Sequence, residues 1–396
     1  MTPHQENLLA LALVDGLGAR AIQRLLERFG SPLNVLAQPP AALQEAGLKP
    51  ELAERVTRAA DNPLFVRERR LMADRGVRLV AWGAPDYPER LARIDPPPPL
   101  LFVRGVWPLP PGPALAVVGT RRATRYGEES TRRLIASTAR LTPGLVVVSG
   151  LARGVDTFAH QQALELGLNT VAVMGGGLAD IYPPENTRLA ERIAQQGALV
   201  SEFPMSKKPL ARNFPIRNRI ISGLSDVILV TEAGEKSGAL ITAGFGANQR
   251  RPVFAVPGNI DQPASLGTNR LLAQGLAFPA LGPEGLAQGL ANPAALAPMT
   301  PQGKPARQLS WLDSAGYTAS SPATRSQPSA QKEKSLPPLP PEKAAVAAAL
   351  GGGPRHPDDL SQELNLPVER LLGLLLELEL EGITQALPDH RHGLAG

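Results

Sequence analysis

From Glu202 to Arg251 the chain carries Lys207, Lys208, Arg212, Arg217, Arg219, Lys236, Arg250 and Arg251 against Glu202, Asp226, Glu232 and Glu235. The whole protein has a formal net charge of +5, so most of the excess sits in this one stretch. Cations gathered this way suit a polyanion. Phe214 stands among them, in the run Phe214-Pro215-Ile216-Arg217-Asn218-Arg219. An aromatic ring amid lysines and arginines can hold single-stranded nucleic acid, because bases stack on the ring while the cations neutralise the backbone. Two other readings stay open at this level: Phe214 in the core beneath the loop, and one of Arg217 and Arg219 spent on an internal salt bridge, for instance to Glu232.

Three segments rich in small residues offer matching anion sites, and another only imitates a nucleotide site. Gly119-Thr120-Arg121-Arg122 follows the apolar Val117-Val118; the glycine permits a tight turn, Thr120 offers a hydroxyl, and Arg121 can fork onto phosphate oxygens at a helix start. The alternative is that these arginines only solvate that helix start. The loop lacks the lysine-serine ending of a nucleoside triphosphatase P-loop, so ATP hydrolysis is not implied. Ser149-Gly150 and Arg153 belong to a second loop, where backbone amides can approach an anion and Asp156 can cap or orient the turn. His160 lies four residues after Asp156 on the same helix face and reads as a structural hydrogen-bond partner rather than a base. Gly175-Gly176-Gly177 imitates a dinucleotide fingerprint but has Asp180 where the third glycine belongs and follows the third strand-like run, not the first. The next turn, Ile181 to Asn186, reads as a rigid shaper of neighbouring sites. Lys236, Ser237 and Gly238 open a further helix after a glycine turn, another anion nest.

The chemistry excluded is as informative. With no cysteine in 396 residues there is no disulfide, thiolate zinc site or cysteine nucleophile. No set of residues reads as a catalytic constellation, a metal site or a cofactor site, so the expectation is binding without catalysis. No apolar run is long enough to span a membrane and no signal peptide is evident, which points to the cytoplasm.

These loops need a scaffold. Apolar runs at Leu115–Val118, Leu145–Val148, Thr170–Met174, Ala198–Ser201, Val227–Thr231 and Val253–Val256 alternate with helical patterns. That alternation predicts an α/β fold, a Rossmann-like doubly wound and mostly parallel sheet with ligand sites beyond the strand ends. The expected organisation is a helical domain over 1–75, the core over 76–280, a Pro/Ala/Ser-rich linker over 281–341 and a winged helix over 342–396. Within the first, Val14 to Ile22 reads as helix, glycine turn and helix, either a helix-hairpin-helix that meets phosphate or an ordinary αα-corner. In the last, Glu369, Glu377, Glu379 and Glu381 against Arg370 favour contact with protein over a phosphate-rich groove.

The blocks Val118–Gly127, Ser149–His160, Gly175–Asn186, Ser201–Pro204, Phe214–Ser225, Glu232–Thr242 and Val253–Gly258, continuing through Ser265, Gly267 and Asn269, together resemble the DNA processing protein A (DprA/Smf) family of bacterial recombination mediators. The resemblance implies a homodimer that binds single-stranded DNA, displaces or works beside single-strand-binding protein, and loads the RecA recombinase during DNA uptake, without catalysis. It also implies a sterile-alpha-motif-like domain before the core and a winged helix after it. By family pattern Gly119, Thr120 and Arg121 hold backbone phosphates, and one of Lys207 and Lys208, the Phe214 region and Lys236-Ser237-Gly238 complete the pocket. Ala239 departs from the serine that many relatives carry. The competing reading is a LOG-type nucleotide phosphoribohydrolase, but Glu232-Ala233-Gly234-Glu235-Lys236-Ser237-Gly238 stands where those enzymes need Pro-Gly-Gly-x-Gly-Thr and an acid.

Overall fold

The computed structural model describes residues 1–296 and, with interruptions, 340–394. Nine strands form one sheet: β1 (Val77–Ala81), β2 (Leu100–Gly105), β3 (Ala114–Val118), β4 (Val146–Ser149), β5 (Thr170–Val173), β6 (Ala198–Ser201), β7 (Val227–Val230), β8 (Val253–Ala255) and β9 (Phe278–Pro279). Their order is β1-β2-β6-β5-β4-β3-β7-β8-β9. All neighbours from β6 to β9 pair in parallel, while β2 meets β1 and β6 antiparallel. The chain winds outward from β3 to β6 and then crosses to β7 on the other side of β3. The crevice beyond the ends of β3 and β7 is therefore the topological switch point, where open α/β sheets take ligands.

The central strands are short and apolar throughout because both faces are covered. Successive side chains alternate: Leu115 and Val117 of β3 enter one core, Ala116 and Val118 the opposite one. Helices α8 (Arg125–Leu141), α9 (Val155–Glu165) and α14 (Pro283–Ala291) cover the first face, and α11 (Asn213–Gly223), α12 (Gly238–Asn248) and α13 (Leu266–Ala273) cover the second, together with the short α7 (Glu89–Ala92).

The first face continues under α10 (Thr187–Gln196) and six N-terminal helices, α1 (Pro3–Ala12), α2 (Ala19–Phe29), α3 (Pro32–Leu36), α4 (Pro40–Glu45), α5 (Pro50–Thr57) and α6 (Leu64–Arg75). Leu9, Leu25 and Val56 of these helices share one buried cluster with Leu79, Phe102 and Leu199 of the sheet. The helices of residues 3–75 are thus built onto the sheet. Their glycine turn exists as read, with Gly16 at φ +86°, but Arg20 beside it pairs with Asp95 at 3.1 Å.

The stretch read as linker from residue 281 opens instead with packed structure. Leu286 and Leu290, four apart on α14, bury against the sheet with Phe254 and Val227. Residues 297–339 lie outside the described part. Beyond them a separate unit has helices Pro341–Ala349 and Pro357–Leu364 and an antiparallel pair, β10 (Thr384–Ala386) with β11 (His392–Leu394). Val346, Leu350, Leu360, Leu371, Leu375 and Leu378 form its core. Glu377 meets Lys343 at 3.0 Å and Arg370 meets Glu342 at 2.6 Å; Glu369, Glu379 and Glu381 are outside the described residues. Among the described residues no helix is long and apolar enough to cross a membrane.

Candidate nucleic-acid interface

A cavity of about 690 Å³ opens at the switch point. Its walls come from the end of β3 (Gly119, Thr120, Arg121), the loop and first turns of α11 (Pro209, Phe214, Arg217, Asn218) and the turn into α12 (Glu235, Lys236, Ser237, Gly238). Each wall has a local cause. At Gly119 a methyl group would lie 2.4 Å from Val155 Cγ2 and 2.8 Å from the Glu232 carbonyl, so only glycine fits. The Thr120 amide donates to that same carbonyl at 2.7 Å, and the Thr120 carbonyl accepts from Val155 N at 3.2 Å, fastening the loop between β7 and α9. The Glu232 carboxylate, fully buried, accepts from the amide and hydroxyl of Thr124 at 2.8 and 2.6 Å. Thr124 in turn caps α8 by accepting from Gly127 N. On the far wall Ser237 caps α12, so Lys236 and the positive end of an eleven-residue helix border one space.

The deepest cation is Arg217, only 3% exposed. Its Nη1 donates to the carbonyls of Gly150, at 2.7 Å, and Val173, and its Nε to Asn218 Oδ1 at 3.2 Å. Burial pulls its pKa down to about 10, with Asp156 opposing, so the guanidinium keeps its charge at neutral pH. Asp156 accepts the amides of Gly150 and Ala152, at 3.1 and 3.3 Å; burial raises its pKa while Arg217 opposes that rise. The guanidinium carbons of Arg121 and Arg217 lie over the Phe214 ring, 5.2 and 5.8 Å from its centroid, within cation–π range.

Comparison with known proteins agrees with this architecture over most of the chain. A family model described as DNA recombination-mediator protein A matches residues 78–290, and one for the DprA winged helix domain matches 330–390. A protein named Smf from Synechocystis is 34% identical over 403 residues, spanning 98% of both chains. The chain belongs to the DNA recombination-mediator protein A family. Protein Smf of Escherichia coli is 39% identical over 76% of this chain and 73% of its own. The X-ray structure of DNA processing protein A from Streptococcus pneumoniae superposes with a TM-score of 0.63 at 32% identity, covering 72% of this chain and 97% of that one.

In this member of the DprA family the expected site residues fall into four groups. Gly119, Thr120, Arg121, Phe214, Arg217, Asn218, Lys236, Ser237 and Gly238 converge on the cavity. Arg122 and Arg153 are exposed but off its walls, Arg153 paired with Glu185. Lys207 and Lys208, half-buried and exposed, sit on the loop entering Pro209 without lining the cavity themselves. Three expectations are corrected. Arg219 turns away: its guanidinium is spent on buried Glu202 and on the Pro96 carbonyl, leaving the side chain 4% exposed. The internal salt bridge is therefore to Glu202, not Glu232. Ser149 is fully buried with its hydroxyl on the Val117 carbonyl at 2.6 Å, and Gly150 lies under Arg217, where a methyl would come within 2.4 Å of Nη1. Both build the floor that carries Arg217 and do not line this cavity.

Two contributors escaped sequence reasoning. Tyr182 lines the cavity with its ring 5.8 Å from Phe214. Glu68 of α6, fully buried, accepts from Met205 N at 2.5 Å, from Ser206 N at 3.1 Å and from the Ser206 hydroxyl, clamping the loop that bears Lys207 and Lys208. The opposite side of that loop lies on the three-glycine turn, where Gly177 N donates to the Lys207 carbonyl at 2.8 Å. Glu68 stands one turn before Met72 on the buried face of α6. Glu68→Ala strands the amides of Met205 and Ser206 and the Ser206 hydroxyl, and is expected to cost about 1–3 kcal/mol in urea denaturation. Hydrogen exchange should speed up first at Met205 and Ser206.

Proposed function

We propose that this chain binds single-stranded DNA without cleaving it and acts as a recombination mediator, working as a homodimer that loads RecA beside or in place of single-strand-binding protein during DNA uptake. The observation that carries the reading is the convergence of Arg121, Phe214 and Lys236 with the N-terminus of α12 on one cavity at the switch point. Cations, a helix start and aromatic surface around one space match a backbone of phosphates with bases attached. The family match and the relatives named DNA processing protein support it. The acid that lines this cavity from α9, Asp156, is already engaged by two backbone amides, and this weighs against a nucleotide-hydrolysing site.

The test is fluorescence anisotropy of labelled oligonucleotides, single-stranded against duplex, over a salt series, followed by RecA strand exchange on DNA coated with single-strand-binding protein. With about three phosphates neutralised, affinity should fall roughly twentyfold between 50 and 200 mM salt. Arg121→Ala should weaken binding roughly tenfold on every sequence alike and flatten the salt slope, because phosphate contacts position a strand without reading it. Unchanged binding by that variant would remove Arg121 from the site, and release of free base from nucleotides would overturn the non-catalytic reading.

A further inference from the structure

We infer that the base-stacking platform of this site is Tyr182, with Phe214 serving as its backing; the inference rests on the single-strand reading above and deepens it. A base needs an accessible aromatic face. Phe214 has little to offer: Arg121 and Arg217 stand over its ring, and a methyl at Gly175 would come within 2.8 Å of its Cδ1. Tyr182 lies against Phe214 at an interplanar angle of 50°, yet the residue remains 39% exposed on the cavity wall. All three members of the array Arg217–Phe214–Tyr182 line the cavity, and Tyr182 is the most exposed of them.

The tyrosine is held by its own segment. Asn186, buried four residues on, donates from Nδ2 to the Leu151 carbonyl and to Thr157 Oγ1, each at 2.9 Å, and its amide donates to the Pro183 carbonyl at 3.0 Å. The turn that carries Tyr182 is thereby tied to the loop after β4 and to α9, near the floor that holds Arg217. A backbone turn fixed this way keeps the tyrosine at the cavity wall before a base arrives, which lowers the ordering cost of stacking. The arrangement divides the labour: Arg121 and Lys236 meet the backbone, and Tyr182 meets a base face, which every base possesses, so the contact is tolerant of sequence.

The experiment uses the full chain and two fluorescent probes, a thymidine oligonucleotide and the same backbone made abasic across the site. Tyr182→Ala is expected to weaken binding of the thymidine strand by about tenfold. Tyr182→Phe should bind like the parent. Neither change should alter the salt slope, since no phosphate contact is lost. On the abasic strand the parent and Tyr182→Ala should bind equally, and a loss there as large as on thymidine would overturn stacking in favour of a general structural role. Equal binding of thymidine by the parent and Tyr182→Ala would overturn the inference alone. If the parent binds no single strand even at low salt, the functional reading and this inference fall together.

Discussion

Arg217→Met should destabilise the larger unit by about 3–5 kcal/mol, the range for removing one partner of a buried charge pair. The size follows from what the methionine leaves behind. The carbonyls of Gly150 and Val173 lose their donor, and Asp156 keeps a buried carboxylate whose chief opposing charge has gone. Phe214 also loses one of the two cations over its ring. Arg217→Lys should cost less, since it restores the charge, but a single ammonium cannot reproduce a guanidinium that serves two carbonyls and the Asn218 amide oxygen. The check is the urea midpoint at constant m-value, with Arg219→Met as comparison. That variant leaves Glu202 buried without its partner, so it too should unfold early. The two should differ in binding: among molecules still folded, only loss of Arg217 disturbs the cavity wall.

This contrast marks where sequence legibility ends. The strands were readable because runs such as Val146-Val147-Val148 are apolar on both faces, and a parallel sheet covered twice demands that. The phosphate loop was readable because Gly119 and its neighbours are determined by local backbone geometry. Arg217 and Arg219 are the same residue type two positions apart, and on a helix such neighbours face different ways. Which of them serves the cavity depends on where β6 delivers Glu202 and where β5 presents the Val173 carbonyl. Those are tertiary facts with no trace in local spacing. In α14 the signal was present but outweighed: Leu286 and Leu290 stand four apart, while Gly, Pro and Ala around them resemble linker composition. Glu68 lay hidden for another reason, since a glutamate among arginines on an exposed-looking helix ordinarily reads as solvated surface.

His160 should make the protein acid-sensitive in a way one substitution removes. Thr170 Oγ1 donates its proton to the Val147 carbonyl at 2.9 Å, so at 2.8 Å from His160 it must accept from Nδ1–H. The other ring nitrogen, Nε2, is buried without a partner. Burial, reinforced by the charge of Arg217, pushes the imidazole pKa down to about 3 from its ordinary 6.5. The folded protein therefore keeps this ring neutral while the unfolded chain protonates it below pH 6.5. Between about pH 6.5 and 3 the unfolded state binds the extra proton, so stability must fall as pH falls through that window. At pH 5 the loss relative to pH 7.5 amounts to about 2 kcal/mol from this residue alone. His160→Asn keeps a donor near Nδ1 and cannot titrate. Its stability at pH 7.5 should be below that of the parent because the smaller side chain leaves space, but the gap should narrow by about 2 kcal/mol at pH 5. Asp156 and Glu202 titrate in both proteins and largely cancel from the difference. A gap that stays constant over the pH series would mean that the imidazole picks up its proton in the fold, which its unpartnered nitrogen beside a buried guanidinium gives it no reason to do.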